Sequence, residues 1–444
     1  AGQSGEVLTG KVLTTSDDIV RGVVHGLRKL LERHGIPVAA LDEIVAGATT
    51  VVTNLIIERK GATTGLITTV GFRDVIEIGR ELRYEIYDLH AGFPLPLVPR
   101  ELRKEVNERI DFQGKVVAPL HRVEVERVVA ELVDSGIESI AVCLLHSYAN
   151  PVHERFVKSM ISELAPNVHV SLSCDVLPEI REYERTVATV LNAYARPFIA
   201  TYLKRIEEQL SSIGVDVTLR VMQSNGGVIS RAYAELQPLR LLESGPAAGA
   251  LAASHLARSA SIGRVLAFDM GGTTAKACLI TDGEPEVTTE FEAARVHRFK
   301  RGSGLPVRLP IVDLIEIGAG GGSIARIDTT GLMKVGPHSA GARPGPACYG
   351  RGGASPTVTD AALILGYLDR ESTLSGAVPL DYQRAWDAIE TELARPLGIT
   401  TVQGGAGVHR IVCEQMAAAA KIYAVEKGRD LRNYAMVAFG GAGP

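Results

Sequence analysis

Asp269-Met270-Gly271-Gly272-Thr273-Thr274 is the part of this 444-residue chain best equipped for chemistry. Apolar runs flank it, Val265-Leu266-Ala267-Phe268 before and Ala277-Cys278-Leu279-Ile280 after, so it reads as strand, tight turn, strand. Glycines let backbone N–H groups come close to an anion, and two threonine hydroxyls add donors. A carboxylate beside such a turn repels phosphate unless a divalent cation or its water shell lies between them. The spacing therefore points to a nucleotide-phosphate hairpin with Asp269 at a cation. Lys276 alternates with Ala275, and either adds positive charge there or faces solvent.

Other candidates are less specific. Ser244-Gly245-Pro246 opens a small-residue helix, Ala247–Leu256, with Ser244 as N-cap and Pro246 in the first turn; a helix start of this kind can receive phosphate. Ala46-Gly47-Ala48-Thr49-Thr50 opens another helix, and simple capping competes there with anion binding. Leu177-Pro178-Glu179-Ile180-Arg181-Glu182-Tyr183-Glu184-Arg185-Thr186 begins a long helix running to about Gly214 and bent near Pro197. Its mixed charges are expected to form a solvated face with i,i+4 pairs rather than to face a cleft. His338, Cys348 and Asp360 lie near one another, but their irregular spacing favours a structural cysteine over a metal site. Asp313 and Glu316 either line a cleft or act as strand pairing partners.

These residues need elements to hold them. Strands are expected at Lys11–Thr14, Thr64–Thr69, Ile137–Leu145, Val168–Ser173, Val217–Met222 and Ala435–Phe439, with a hairpin over Ile324–Val335. Helices are expected over Ile19–His34, Arg103–Ile110 and Val123–Ser135, after Asn150-Pro151, from Thr357, and over Gly407–Glu426 with Met416 and Ile422 toward the core. Arg80–Pro99 reads as a surface loop. Alternating strands and amphipathic helices make an α/β protein. A chain with 46% hydrophobic and 22% charged residues can build two or three cores. A net charge of −4 without a basic run argues against nucleic acid. No apolar run approaches the roughly 18 residues of a membrane span, and no signal-peptide pattern opens the chain. Five scattered cysteines without a CxxC pair support neither disulfides nor a cysteine zinc site. A cytoplasmic location is the default.

Several motifs occur together and in order. They are Arg181-Glu182-Tyr183-Glu184-Arg185, Leu191-Asn192-Ala193-Tyr194, the Asp269 hairpin, Ile317-Gly318-Ala319-Gly320-Gly321-Gly322-Ser323, Pro344-Gly345-Pro346-Ala347-Cys348-Tyr349-Gly350 and Ala438-Phe439-Gly440-Gly441-Ala442-Gly443-Pro444. This ordered set, spanning essentially the whole chain, resembles the hydantoinase A / 5-oxoprolinase family, in particular the N-methylhydantoinase A type.

The resemblance implies two ribonuclease-H-like domains of the sugar-kinase, actin and heat-shock-chaperone ATPase superfamily, with ATP and Mg²⁺ in the cleft between them. It divides the chain into 1–178, an N-terminal-type α/β domain, and 179–444, the ATPase domain with its long connecting helix. Asp269 and Thr273 then carry the chemistry, with Asp269 at the metal. Gly271, Gly272, Thr273 and Thr274 contact phosphate, with Ser244, Gly245, Gly320 and Gly321 nearby, and Gly440, Gly441 and Ala442 resemble the adenosine turn. The implied reaction is ATP-dependent hydrolysis of a cyclic amide (a hydantoin, 5-oxoproline or a lactam) through phosphorylation of its carbonyl oxygen. An amide carbonyl is a poor electrophile, and phosphate on its oxygen makes a leaving group. The implied setting is a hetero-oligomer with a B-type hydantoinase subunit. Alternatives are the ATP-binding subunit of a biotin-independent acetone- or acetophenone-type carboxylase, an actin-like regulatory protein, or an inactive fragment. The last arises because the family's first phosphate hairpin, expected before Lys11, and a helix expected after Pro444 are not in the chain. Relatives also usually carry a His where this chain has Gly47.

Overall fold

The computed structural model describes residues 8–443 except 11, 13–14, 16–17, 47–50, 82, 298–299, 372 and 375–377. Most of the expected strand Lys11–Thr14 and of the Ala46–Thr50 helix start, Gly47 included, and Pro444 therefore lie outside the described residues.

Two sheets carry the molecule. The first is parallel, in the order Arg103–Val106, Thr64–Thr69, Ser139–Cys143, His169–Leu172. Its two central strands are buried throughout, so they read in the sequence as apolar runs rather than as alternation. Helices Arg122–Asp134 and Val152–Leu164 pack against it through Val125, Val128, Val129, Leu132, Val157 and Ile161. Each such fully buried branched side chain contributes on the order of 1.5–3 kcal/mol. The second sheet is mixed. Arg264–Met270 and Ala275–Thr281 form an antiparallel hairpin, Ala435–Phe439 lies parallel to the first of these, and Ile315–Ile317 pairs with the second. Among the described residues Ala435–Phe439 pairs on one side only, and Met436 on it is 62% exposed.

The helix Glu182–Ser212 joins the two halves. Its Val190 and Ala193 belong to the parallel-sheet core, while Val187, Leu191, Ile199 and Leu203 belong to a second core with Val52, Ile56, Leu241 and Val307. Local signals start several helices. Asp18 accepts from the amides of Val20 and Arg21 at 3.1 and 3.4 Å ahead of Ile19–His34, and Gly35 closes that helix in the left-handed region. Capping boxes of Thr357 with Asp360 and of Thr400 with Gln403 open Val358–Ile364 and Thr401–Glu426.

Five expectations need correction. The long helix begins at Glu182 rather than Leu177, because Arg181 before it, at φ 86°, is not helical. Arg103–Ile110 is not helical: Arg103–Val106 is an edge strand beside Thr64–Thr69, and Arg109–Ile110 pairs with Val116–Ala118. The buried Arg103 guanidinium donates to the Val98 carbonyl at 2.9 Å and pairs with Glu77 at 2.8 Å. Glu184 and Arg185 are not on a solvated face. Glu184 is buried against Arg80 at 2.7 Å, and the fully buried Arg185 donates to the Leu144 carbonyl at 2.8 Å and the Ser173 hydroxyl at 2.5 Å. The last long helix starts at Thr401, six residues before the expected Gly407. Its core face is Val408, Val412, Ala419, Ala420 and Tyr423, while Ile422 is 56% exposed.

Candidate functional site

The Asp269 hairpin forms as its sequence suggests. Apolar runs buried on both faces build both strands, and the turn closes with the Gly271 amide donating to the Thr274 carbonyl at 2.9 Å. Gly272 and Thr273 at its tip are exposed, and a Cβ placed on Gly272 would meet open space. Two other glycine turns close on this one. Gly321 and Gly322 donate to the carbonyls of Gly271 and Gly272 at 3.1 and 2.6 Å. The approach is so close that a Cβ on Gly320 would stand 2.6 Å from the Thr273 carbonyl carbon. The Ala442 amide donates to the Met270 carbonyl at 2.8 Å. Gly440, at φ +96°, takes a conformation that L side chains rarely adopt, and a Cβ there would collide with the Asp269 carboxylate. Gly441 beside it is exposed, with open space over its Cα.

The chain therefore gathers Asp269, Gly271–Thr274, Gly320–Gly322 and Gly440–Ala442 into one place. Thr359 braces the group from behind, donating through its amide and hydroxyl, both at 2.8 Å, to the Gly321 carbonyl. Its neighbour Asp360 fixes the Pro344–Gly350 loop. That carboxylate accepts from the amides of Ala347, Cys348 and Thr357 at 3.2, 2.8 and 2.8 Å, and from the Thr357 hydroxyl at 2.7 Å. Asp360 and Cys348 are buried and His338 is exposed, so the three form no metal site. No group of three or more His, Cys, Asp or Glu among the described residues is arranged to hold a metal.

Asp269 lies on the face of the sheet that carries the helix Ser244–Ser259, because Val265 and Ala267, four and two residues earlier, pack there with Ala247 and Ala250. Directly opposed residues share a face. Phe439, Asp269, Lys276 and Glu316, paired in register, therefore form a row across four strands. Burial pushes the Asp269 carboxyl above its ordinary value, and the Lys276 ammonium pulls it back in part. Lys276 does not face solvent. It is buried and ion-paired with Glu243, whose other oxygen accepts from the Thr53 hydroxyl at 2.9 Å.

Ser244 differs from its expected role. Glu243, at φ 53°, occupies the N-cap position without a side-chain cap bond, and Ser244 is the first helical residue. The Ser244 hydroxyl is buried without a protein partner, and Gly245 follows in the same turn. Both join the glycine turns at one remove, through the Glu243–Lys276 pair. Sequence reasoning missed Glu243 and Thr53, because nothing local marks a contact across 190 residues.

At the far end of the row a cavity of about 950 Å³ opens between the halves of the molecule. Thr53, Arg80, Phe93, Phe291 and Glu316 are among its walls, as is Asp313, which pairs with Lys427. The loop read as mere surface thus supplies a wall of the cavity.

Comparison with known proteins now gives this arrangement a family. Residues 1–165 match the hydantoinase/oxoprolinase N-terminal region, and residues 185–444 match the hydantoinase/oxoprolinase family itself. An uncharacterised protein of Methanocaldococcus jannaschii is 44% identical over 90% of this chain and 60% of its own length. The caprolactamase subunit alpha of Pseudomonas jessenii is 33% identical over 100% of this chain and 63% of its own. The nucleotide-free structure of an acetone carboxylase, from work on ATP-dependent acetone carboxylation, superposes with a TM-score of 0.84 at 30% identity, covering 99% of this chain and 62% of that one. The chain thus spans about three fifths of the length of each of these three relatives. Among its described residues no helix is long and apolar enough to cross a membrane. With both halves matched, the chain belongs to the hydantoinase/oxoprolinase family.

Proposed function

We propose that this chain is the nucleotide-binding part of an enzyme that hydrolyses a cyclic amide (a hydantoin, 5-oxoproline or a lactam) after ATP-dependent phosphorylation of the carbonyl oxygen. The observation that carries the reading is the closure of the Gly320–Gly322 and Gly440–Ala442 turns on the hairpin turn that follows Asp269, with the Gly272 and Gly441 faces open. That arrangement fits phosphate: exposed turn amides and the Thr273 and Thr274 hydroxyls donate to it, and the buried Ser244 hydroxyl still lacks an acceptor. Asp269, partly desolvated, suits the water shell of Mg²⁺, and Gly440, Gly441 and Ala442 suit the nucleoside side. ATP supplies the phosphoryl group; the chain's residues position it and balance its charge. The cavity beyond Lys276 and Glu316 suits the molecule being activated. The two-lobed ribonuclease-H-like architecture belongs to this reading, supported by the hairpin with a parallel strand at its side. So does a division near residue 178. The partner is a B-type subunit in a hetero-oligomer, by analogy with a relative that is itself named a subunit.

A second reading, carboxylation of a ketone, is favoured by the likeness to acetone carboxylase. One experiment separates the two. ADP release by the whole protein with its partner is measured against hydantoins, 5-oxoproline, lactams and ketones, with and without bicarbonate. Amide-stimulated ADP release without bicarbonate supports hydrolysis. Strict bicarbonate dependence with a new C–C bond overturns it.

A further inference from the structure

Glu243 stands out among the residues that neither the motifs nor the comparisons single out. It is non-glycine yet left-handed at φ 53°, buried, and placed immediately before a 16-residue helix that it does not cap. A buried side chain in that conformation persists when its surroundings over-determine it. The surroundings are specific. One carboxylate oxygen receives the Lys276 ammonium; the other receives the Thr53 hydroxyl at 2.9 Å. Lys276 sits directly across the hairpin from Asp269, and directly across the next strand pair from Glu316. At about 4.8 Å per strand, Asp269 and Glu316 lie about 10 Å apart with Lys276 between them. Thr53 and Glu316 both line the cavity, while Asp269 does not.

We propose that Glu243 is a positioning residue. By holding Lys276 on the Asp269 face of the hairpin and the Thr53 hydroxyl on the cavity wall, it couples the phosphate turn to the helix Val51–Ile57. The inference rests on the nucleotide reading above and adds the route by which nucleotide binding is felt in the cavity. Phosphate at the turn acts on the Asp269–Lys276 pair. Lys276 is buried, with Glu243 receiving its ammonium, so a shift of its ammonium moves the Glu243 carboxylate and with it the Thr53 hydroxyl.

The test uses the whole protein and Mg·ATP, read by hydrogen exchange. In the wild type, Mg·ATP is expected to slow exchange at least threefold both in peptides covering 271–281 and in those covering 51–57. Thr53→Val removes the hydroxyl but keeps the Lys276–Glu243 pair. It should retain the slowing at 271–281 and lose that at 51–57. Glu243→Gln should lose it at 51–57 as well; if it fails to fold, Thr53→Val alone decides. Wild-type-sized slowing at 51–57 in Thr53→Val overturns the inference, and so does its absence in the wild type when 271–281 responds. No response at 271–281 in the wild type refutes the nucleotide reading itself, and the inference with it. Separate peptides therefore report the two failures.

Discussion

Replacing Gly320 by alanine tests the nucleotide reading at its tightest point. An ideal Cβ on Gly320 lies 2.6 Å from the Thr273 carbonyl carbon and 2.8 Å from both the Gly271 oxygen and the Gly272 carbonyl carbon. Carbon atoms settle at about 3.5–4 Å, so the two loops must part by about 1 Å. All three neighbours are backbone, so no flexible side chain can absorb the shift. Overpacking of this kind destabilises by about 1–3 kcal/mol. Misplacing a binding group by about 1 Å is worth roughly 100-fold. Gly320→Ala is therefore expected to fold, to melt a few degrees lower, and to bind Mg·ATP some 10- to 100-fold more weakly by calorimetric titration. Gly263→Ala is the control, since its Cβ meets nothing within 4 Å. If folded Gly320→Ala binds Mg·ATP within threefold of the wild type, the Gly320 loop does not shape the phosphate turn and the reasoning fails.

Other outcomes follow from the same geometry. Lys276→Met leaves the Glu243 carboxylate buried without its cation and should cost about 3–5 kcal/mol in chemical denaturation, with much of the loss recovered in the double variant with Glu243→Gln. The Asp269 carboxyl is raised above 3.8 by burial, so the folded protein binds its proton more tightly than the unfolded chain does. Its contribution is then fully present below 3.8 and lost as pH rises through the folded value. Asp269→Asn should consequently melt no lower than the wild type at pH 7 without nucleotide, with the gap closing in acid, while Mg²⁺ no longer strengthens ATP binding. Asp360→Ala should lower stability by about 3 kcal/mol or more in chemical denaturation, through three amides left without an acceptor. Burial pushes the Cys278 thiol up to about 12, so thiol reagents at pH 8 should reach it only after denaturation.

How much of this was legible depended on where each residue finds its partner. The Asp269 hairpin was readable because its determinants are local: apolar runs of strand length around a glycine-threonine turn. Thr357 was readable for the same reason, since a capping box needs only four residues. Arg103–Val106 misled because its charges sit at helical spacing, while its strand character comes from Thr64–Thr69, more than thirty residues back. An edge strand tolerates Lys104 and Glu105, which leaves no apolar run to see. Arg185 misled likewise, its acceptors at Leu144 and Ser173 lying 41 and 12 residues away. The glycine turns at 320 and 440 are visible in the sequence, but their convergence on the Asp269 hairpin is a property of the folded chain. The sequence around Lys276 admits two roles and the residue takes a third, because its partner Glu243 belongs to another element.

The side of Ala435–Phe439 that is open among the described residues bears on how this chain behaves at high concentration. Unpaired amides and carbonyls along an edge are a template for a strand from another molecule, and natural edges are commonly guarded by lysine or proline. This one presents Met436, 62% exposed, with no charge among its five residues. Among the described residues this edge is therefore a place where self-association is expected to start, whatever the net charge of −4. Met436→Lys should raise the concentration at which light scattering begins to climb, leaving the melting temperature within a degree or two.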